Sequence, residues 1–321
     1  MDKFQRRINF SGNIQLLLEK VASDYGLGGY KGYRVIPVGY EDYNLITTTR
    51  KGKYFVKIFA AYRTRTDCER YIGVIHRVLQ HSVQHPKLLK SSKGFLYSMG
   101  LGRVTLRLCV MEYIDGKSLY DLNGNLDRKE MKFLIKEAAL INRIKLKPGF
   151  IYDNWAISNF IGEYKKKRKY LGTKGQKILD RLAKQFLRVP IRKLPHCLVH
   201  GDIIKTNVLK SKRGDLYIID FSVANYYPRI QELAVLLCSV LFDEKHPEKM
   251  EGQRRFALKE YQKHIKLTGA EVHAFPIFCD VAHAMHLLQA TYEEKAKRNT
   301  SKENKYWLKL GRSGLGVAHE N

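Results

Sequence analysis

The stretch Val199-His200-Gly201-Asp202-Ile203-Ile204-Lys205-Thr206-Asn207-Val208-Leu209, followed by Leu216-Tyr217-Ile218-Ile219-Asp220-Phe221, carries nearly all the polar chemistry of the second half of the chain. It alternates short apolar runs with turns, a pattern of buried strands that present polar residues at their ends. Asp202 precedes Asn207 by five residues on one loop, and Asp220 closes an apolar strand thirteen residues later, so the three side chains can converge on one ion-binding point. Phosphoryl transfer from ATP needs oxygen ligands that hold magnesium against the phosphates, and a carboxylate that orients the acceptor hydroxyl and takes its proton. An Asx-turn pair is the plainer account of Asp202 and Asn207, but it leaves Asp220 unexplained.

Outward from this segment the chain changes character. Before it, Ile14, Leu17, Leu18, Val21 and Tyr25 repeat at helical spacing ahead of a glycine-rich turn, Gly26–Gly32, whose glycines do not fit GxGxxG. Short β-like runs follow at 33–38, 43–49 and 54–59, then a helix from about Thr66 to Gln80, then strands at 94–98 and 106–113. Beyond Gly116 the pattern is mainly helical, with Met131, Leu134, Ile135, Ala138, Ile141 and Ile144 marking one apolar face after an Asp127 cap. Further helices are expected near 173–188, 230–242, 252–266 and 276–298.

HGDxxxxN followed by an apolar strand ending in Asp-Phe resembles the aminoglycoside phosphotransferase, choline kinase and type II homoserine kinase superfamily. His200-Gly201-Asp202 and Asp220-Phe221-Ser222 stand where protein kinases carry HRD and DFG. The resemblance implies an α+β, two-lobed, protein-kinase-like fold. Residues 1–112 would form a strand-rich nucleotide-binding lobe with a small antiparallel sheet, 113–116 a hinge, and 117–321 a larger, mainly helical lobe with the catalytic loop and acceptor site.

The same resemblance distributes roles. Asp202 is the catalytic base, Asn207 and Asp220 hold Mg²⁺, and Glu232, opening the next helix as Glu232-Leu233-Ala234, braces the catalytic loop. Lys57, between apolar neighbours in Tyr54-Phe55-Val56-Lys57-Ile58-Phe59, matches the phosphate-binding lysine. A cation there needs a partner, and Glu69, twelve residues on in the predicted helix, is the expected one. Glu112 and Ile114 would offer backbone groups to the adenine, and Gly39 would lie in the nucleotide loop Gly39-Tyr40-Glu41-Asp42-Tyr43-Asn44. The implied cofactors are ATP and Mg²⁺, and the implied partner is a small-molecule hydroxyl acceptor: an amino alcohol, amino acid, sugar or aminoglycoside. Asn154, Trp155, Glu163 and the segment 275–292 are the expected contributors to its pocket.

Composition sets the frame. At 321 residues and 44% hydrophobic content the chain can bury a substantial core. Met1–Lys20 lacks the apolar run of a signal peptide and the longest apolar stretch, near 233–242, is too short for a membrane span, so a cytoplasmic protein is expected. Cys68, Cys109, Cys197, Cys238 and Cys279 are scattered singly, without the pairing of a zinc knuckle or disulfide framework. His273, His283 and His286 read as core or helix-surface residues. The net charge of +27 attracts phosphates, nucleic acids or anionic surfaces, and Tyr164-Lys165-Lys166-Lys167-Arg168-Lys169 is its densest run. With no accompanying aromatic-stacking motif, that run reads as a solvated face giving at most weak, non-specific nucleic-acid binding. Two other readings remain on sequence grounds: phosphorylation of a protein side chain, disfavoured by HGD and by the lack of an Ala-Pro-Glu segment after Asp220, and a basic RNA- or membrane-binding module on a kinase-like scaffold, disfavoured by the presence together of Lys57, Asp202, Asn207 and Asp220.

Overall fold

The computed structural model describes residues 3–36, 42–101, 104–124 and 126–317. It divides into two compact units, Met1–Gly116 with Ser211–Ile219, and Lys117–Lys210 with Asp220–Asn321. The first opens with α1 (Lys3–Arg7) and α2 (Ile14–Asp24), the latter started by Asn13, whose side chain accepts from the amides of Gln15 and Leu16. Ile14, Leu17, Leu18 and Val21 bury the predicted face of α2 against the sheet core. The sheet contains β1 (Tyr30–Val35), β2 (Tyr43–Thr49), β3 (Gly52–Ile58), β4 (Tyr97–Leu101) and β5 (Val104–Glu112), every paired neighbour antiparallel in the order β1-β2-β3-β5-β4.

Between β3 and β4 runs α3 (Arg65–Gln80), begun by a reciprocal capping box of Thr64 and Asp67. It buries Cys68, Tyr71, Ile72, Ile75 and Val78. Where the sequence places a strand over 94–98, β4 instead begins at Tyr97. Residues 91–94 close a tight turn in which the Ser91 and Gly94 amides exchange bonds with each other's carbonyls, and Gly94 has φ +102°.

The chain continues through β6 (Gly116–Ser118), α4 (Leu119–Leu122), α5 (Arg128–Arg143), α6 (Phe160–Lys167) and α7 (Thr173–Phe186). The short strands β7 (His196–Val199), β8 (Val208–Ser211), β9 (Leu216–Ile218) and β10 (Asn225–Pro228) follow, with β7 and β10 paired antiparallel. The last helices are α8 (Ile230–Leu236), α9 (Met250–Gln262), α10 (Gly269–Lys297) and α11 (Lys302–Gly314). The α+β class expected from the sequence, an antiparallel sheet in the N-terminal part and helices after it, is the one observed. Among the described residues no helix is long and apolar enough to cross a membrane.

Two helical expectations change. α10 begins at Gly269, earlier than the 276 expected, because a Thr268–Glu271 capping box starts it and Pro276 is carried inside the helix. α11 has no counterpart in the sequence reading. It packs so closely on α10 that a Cβ at Gly311 would overlap the backbone of His283 and Leu287.

Of the three late histidines, His273 is exposed while His283 and His286 lie in the core. His286 stacks on Trp307 at 5.2 Å and its Nε2 lies 3.4 Å from the Ser239 hydroxyl. Burial holds His283 well below its ordinary value, helped by His286 and Arg254, and lowers His286 to about 4. Both are therefore neutral in the folded protein, whereas the unfolded chain takes up protons near 6.5. The stability they contribute is complete above that value and is lost as pH falls towards the folded pKa. Replacing His286 by Gln should remove about 2 kcal/mol from the fall in unfolding free energy between pH 7 and pH 5, read from urea midpoints at the two pH values.

Candidate active site

The loop after β7 is fixed by one buried carboxylate. Glu232 of α8, fully inaccessible, accepts the His200 amide at 2.5 Å through Oε2 and the Gly201 amide at 3.3 Å through Oε1. Asn142 of α5 donates to the same carboxylate at 3.4 Å and to the Leu198 carbonyl at 2.9 Å, and the Tyr261 hydroxyl of α9 donates to Asn142 at 2.6 Å. Burial lifts Glu232 to about 7, and these donors act against that rise. The bracing role expected of Glu232 is thus present as hydrogen bonds. Gly201 takes φ +80°, a left-handed turn that lets the chain reverse after β7.

The turn sets the orientation of Asp202. Its amide donates to His200 Nδ1 at 3.1 Å, which assigns the histidine proton to Nε2, and the buried His200 ring lies 4.3 Å from that of Phe221. Asn207 donates through Nδ2 to the Asp202 carboxylate at 2.7 Å and to its carbonyl at 3.0 Å, leaving its amide oxygen to face another partner. Asp220 follows β9 with φ +64°, a left-handed conformation that costs a non-glycine residue energy and places it at a sharp corner. The structure therefore brings Asp202 and Asn207 into direct contact and Asp220 within electrostatic range of Asp202.

Burial, with the negative charges of Asp153 and Asp220 and a smaller effect of Glu303, pushes Asp202 up to about 8, against the opposing bond from Asn207. A carboxyl raised by neighbouring negative charge in this way is what a bound cation relieves. The two groups expected to hold a metal, the Asn207 amide oxygen and the Asp220 carboxylate, are oxygen donors of the kind that suits a hard divalent ion such as Mg²⁺.

Asp153 and Glu303 were not singled out from the sequence. Asp153 sits in Tyr152-Asp153-Asn154-Trp155, where four consecutive polar or aromatic side chains in a loop were a visible signal. Glu303 stands on α11, whose sequence carries none.

The loop bearing Asp153 is held from behind by buried charge. Lys167 pairs with Glu163, and Glu163 also accepts from the Tyr152 hydroxyl and from Gln289. Gln289 in turn donates to the Asn154 carbonyl. Glu163, offered from sequence as an acceptor contributor, is instead committed to this brace. Burial opposes its ionisation, yet Lys167, Tyr152 and Gln289 outweigh burial and hold it down to about 2. The basic run divides accordingly: Lys167 is buried over the Tyr292 ring at 4.5 Å, while Lys165, Lys166, Arg168 and Lys169 face solvent.

In the first unit Lys57 is buried, 5% exposed, opposite Asn44 of β2 and Cys109 of β5. Its carboxylate partner differs from the expectation. Glu69 is exposed and paired with Arg65 at 2.7 Å along α3, so it does not serve Lys57. Lys57 Nζ lies instead 3.0 Å from Asp42 Oδ2, and α3 presents to it the ring of Tyr71, 5.1 Å away. The helical spacing that suggested Glu69 places that residue on the outer face of α3. Gly39 lies outside the described residues, with Tyr40 and Glu41.

Glu112 ends β5, its amide bonded to the Lys87 carbonyl at 2.9 Å, and Ile114 follows just beyond the ladder. Lys53, Phe55 and Lys57 share one sheet face with Thr48, Ile46 and Asn44. At its Lys53 end that face forms a cavity of about 390 Å³, lined by Lys31, Arg34, Ile46, Thr48, Lys53 and Tyr113 among others.

Since Glu232 satisfies two buried amides, Glu232→Ala leaves both without partners, at about 1–3 kcal/mol each. The expected outcome is a lower urea midpoint with retained secondary structure, accompanied by loss of catalytic turnover as the loop relaxes. An unchanged midpoint would show that water replaces the carboxylate.

The chain matches the model of the phosphotransferase enzyme family over residues 32–264. Among curated proteins, it is 24% identical over 274 residues to a homoserine kinase of Bradyrhizobium diazoefficiens, covering 83% of this chain and 80% of the relative. It is 23% identical over 271 residues to a homoserine kinase of Sinorhizobium medicae, covering 84% and 81%. Among solved structures, the amicoumacin kinase hAmiN in complex with AMP-PNP, Ca²⁺ and Ami superposes with a TM-score of 0.66 at 18% identity, covering 95% of this chain and 93% of that one. A microcompartment-associated aminopropanol kinase gives 0.67 at 13% identity, covering 94% and 95%. With the family model spanning most of its length, and an Asp-Asn pair and a second aspartate on the elements described above, the chain belongs to the phosphotransferase enzyme family.

Proposed function

We propose that this phosphotransferase moves the γ-phosphoryl group of ATP to a hydroxyl of a small molecule. The observation that carries the reading is the catalytic loop itself: Asp202, pinned by Asn207, standing in the field of Asp220 and Asp153. In this reading Asp202 orients the acceptor hydroxyl and accepts its proton as the oxygen attacks phosphorus. Asn207 and Asp220 would hold Mg²⁺, which when bound neutralises phosphate charge. Lys57 would contact the phosphates, and the backbone at Glu112 and Ile114 the adenine. Nucleotides in the solved structures of the neighbours, AMP-PNP in one and ADP in another, support a nucleotide as the donor.

For the acceptor we favour an amino-bearing alcohol, an amino acid or amino alcohol in particular. The support is the local negative potential: Asp153 and Glu303 both act on Asp202, and an ammonium group near the acceptor hydroxyl would be attracted there. The curated relatives are homoserine kinases, and an aminopropanol kinase is among the structural neighbours. ATP consumption measured against a panel of amino acids, amino alcohols, sugars and aminoglycosides, with Asp202→Asn as the blank, tests the assignment. Turnover with none of them, or equal turnover in the blank, would overturn it.

The two aspartates should fail differently. Asp202→Asn keeps the loop's shape and should retain ATP·Mg binding while turnover falls by roughly 10²–10⁴-fold, the range of a lost general base. Asp220→Asn removes an anionic metal ligand and should weaken Mg²⁺-dependent ATP binding along with turnover. Calorimetric ATP titrations with and without Mg²⁺ distinguish the two. In the same assay Lys57→Ala should raise the Michaelis constant for ATP and lower turnover, since the lysine neutralises phosphate charge in ground and transition states alike.

A further inference from the structure

The charge that meets Lys57 comes from the strand side of the first unit, on a residue the sequence did not single out. Asp42 immediately precedes β2, two residues before Asn44, and Asn44 lies directly opposite Lys57. The Asp42 carboxylate reaches the Lys57 ammonium from the bend that leads into β2. Both its carboxylate oxygens are engaged: Oδ2 with Lys57 Nζ at 3.0 Å, Oδ1 with Arg63 Nε at 3.0 Å and with the Ala60 amide at 2.9 Å. Its backbone carbonyl is engaged as well, accepting from Arg7 Nη1 at 3.0 Å.

Asp42 and Lys57 are each 5% exposed, so water screens their attraction little. A carboxylate fixed at both oxygens and at its own backbone can hold a flexible four-carbon ammonium in one place. Burial alone would raise the Asp42 carboxyl, but Lys57, Arg63 and the Ala60 amide outweigh it and keep the group below its ordinary value, hence ionised.

We propose that Asp42 is the positioning residue for Lys57, holding the ammonium where nucleotide phosphates meet it, with Arg63 as the second cation that locks the carboxylate. This rests on the kinase reading above. It transfers to the residue just ahead of β2 a task expected of Glu69 on α3, and it accounts for Glu69 being free to pair outward with Arg65. Arg63 also explains why Lys57 can engage phosphate without stranding a buried carboxylate, because Asp42 keeps one cation when the other turns to a ligand.

The test uses the full chain titrated with ATP in the presence of MgCl₂ and, separately, with adenosine, which has no phosphate for Lys57 to meet. Asp42→Asn should weaken ATP·Mg binding by about tenfold or more while adenosine binding stays within about twofold, and Glu69→Ala should change neither beyond about twofold. In a Lys57→Met background, Asp42→Asn should add little further loss, because the lysine it positions is gone.

The proposal is overturned if Asp42→Asn binds ATP·Mg like the parent, if it loses adenosine to the same extent as ATP, or if Glu69→Ala produces the ATP-specific loss. Should Asp42→Asn fail to fold, Asp42→Glu, which keeps the charge but moves it by one carbon, decides the matter: weaker ATP·Mg binding with adenosine binding within about twofold supports the proposal, and unchanged ATP·Mg binding or an equal loss of both ligands overturns it. A folded parent protein that binds no ATP·Mg at all would instead remove the kinase reading, and the proposal with it.

Discussion

A carboxylate sealed from water is stable only where donors converge on it, and in this protein the donors that converge on Glu232 are the amides of the loop after β7. The cost of burying the charge and the otherwise unmet hydrogen bonds of His200 and Gly201 offset each other, so neither can change alone. Through that contact the direction of the chain at Gly201 is set, and with it the position of Asp202. His200 then passes the constraint on. Its Nδ1 accepts the Asp202 amide and its ring lies against Phe221, next to Asp220, so both aspartates follow from one buried interaction.

The electrostatics of the site run against those of the whole molecule. A chain with a net charge of +27 presents a mainly positive surface, yet around Asp202 the acting charges are Asp153, Asp220 and Glu303. Global charge sets long-range attraction for anions, while the local carboxylates set the potential around Asp202. Lys167 illustrates the separation. It belongs by sequence to the most basic run in the chain, but it is buried against Glu163 and serves to hold the loop that carries Asp153.

In the first unit the pairing register does comparable work. Lys57 stands opposite Asn44, and Asp42, just ahead of β2, meets the lysine with its carboxylate. Tyr71 is what α3 turns towards the lysine, because the buried positions of that helix, Cys68, Tyr71, Ile72, Ile75 and Val78, leave Glu69 on its outer side. An apolar face on a helix thus decided which acid was available to a lysine on a strand.

The sequence by itself determined the α+β class, the antiparallel sheet before Gly116 and the helices after it, because these follow from local periodicity and from caps such as Asp127 and Thr64. It also put forward Asp202, Asn207 and Asp220, whose spacing along one loop and one strand end is a local property. What only the tertiary structure decided were partners brought together across long separations: Glu232 with His200, Asp153 and Glu303 with Asp202, and Asp42 rather than Glu69 with Lys57. α11 belongs to the same class, its place fixed by glycines that fit closely against α10. The physical reason is common to all of them: packing joins residues whose separation in the chain carries no signal, and a buried group then takes its charge state from whichever neighbours packing has supplied.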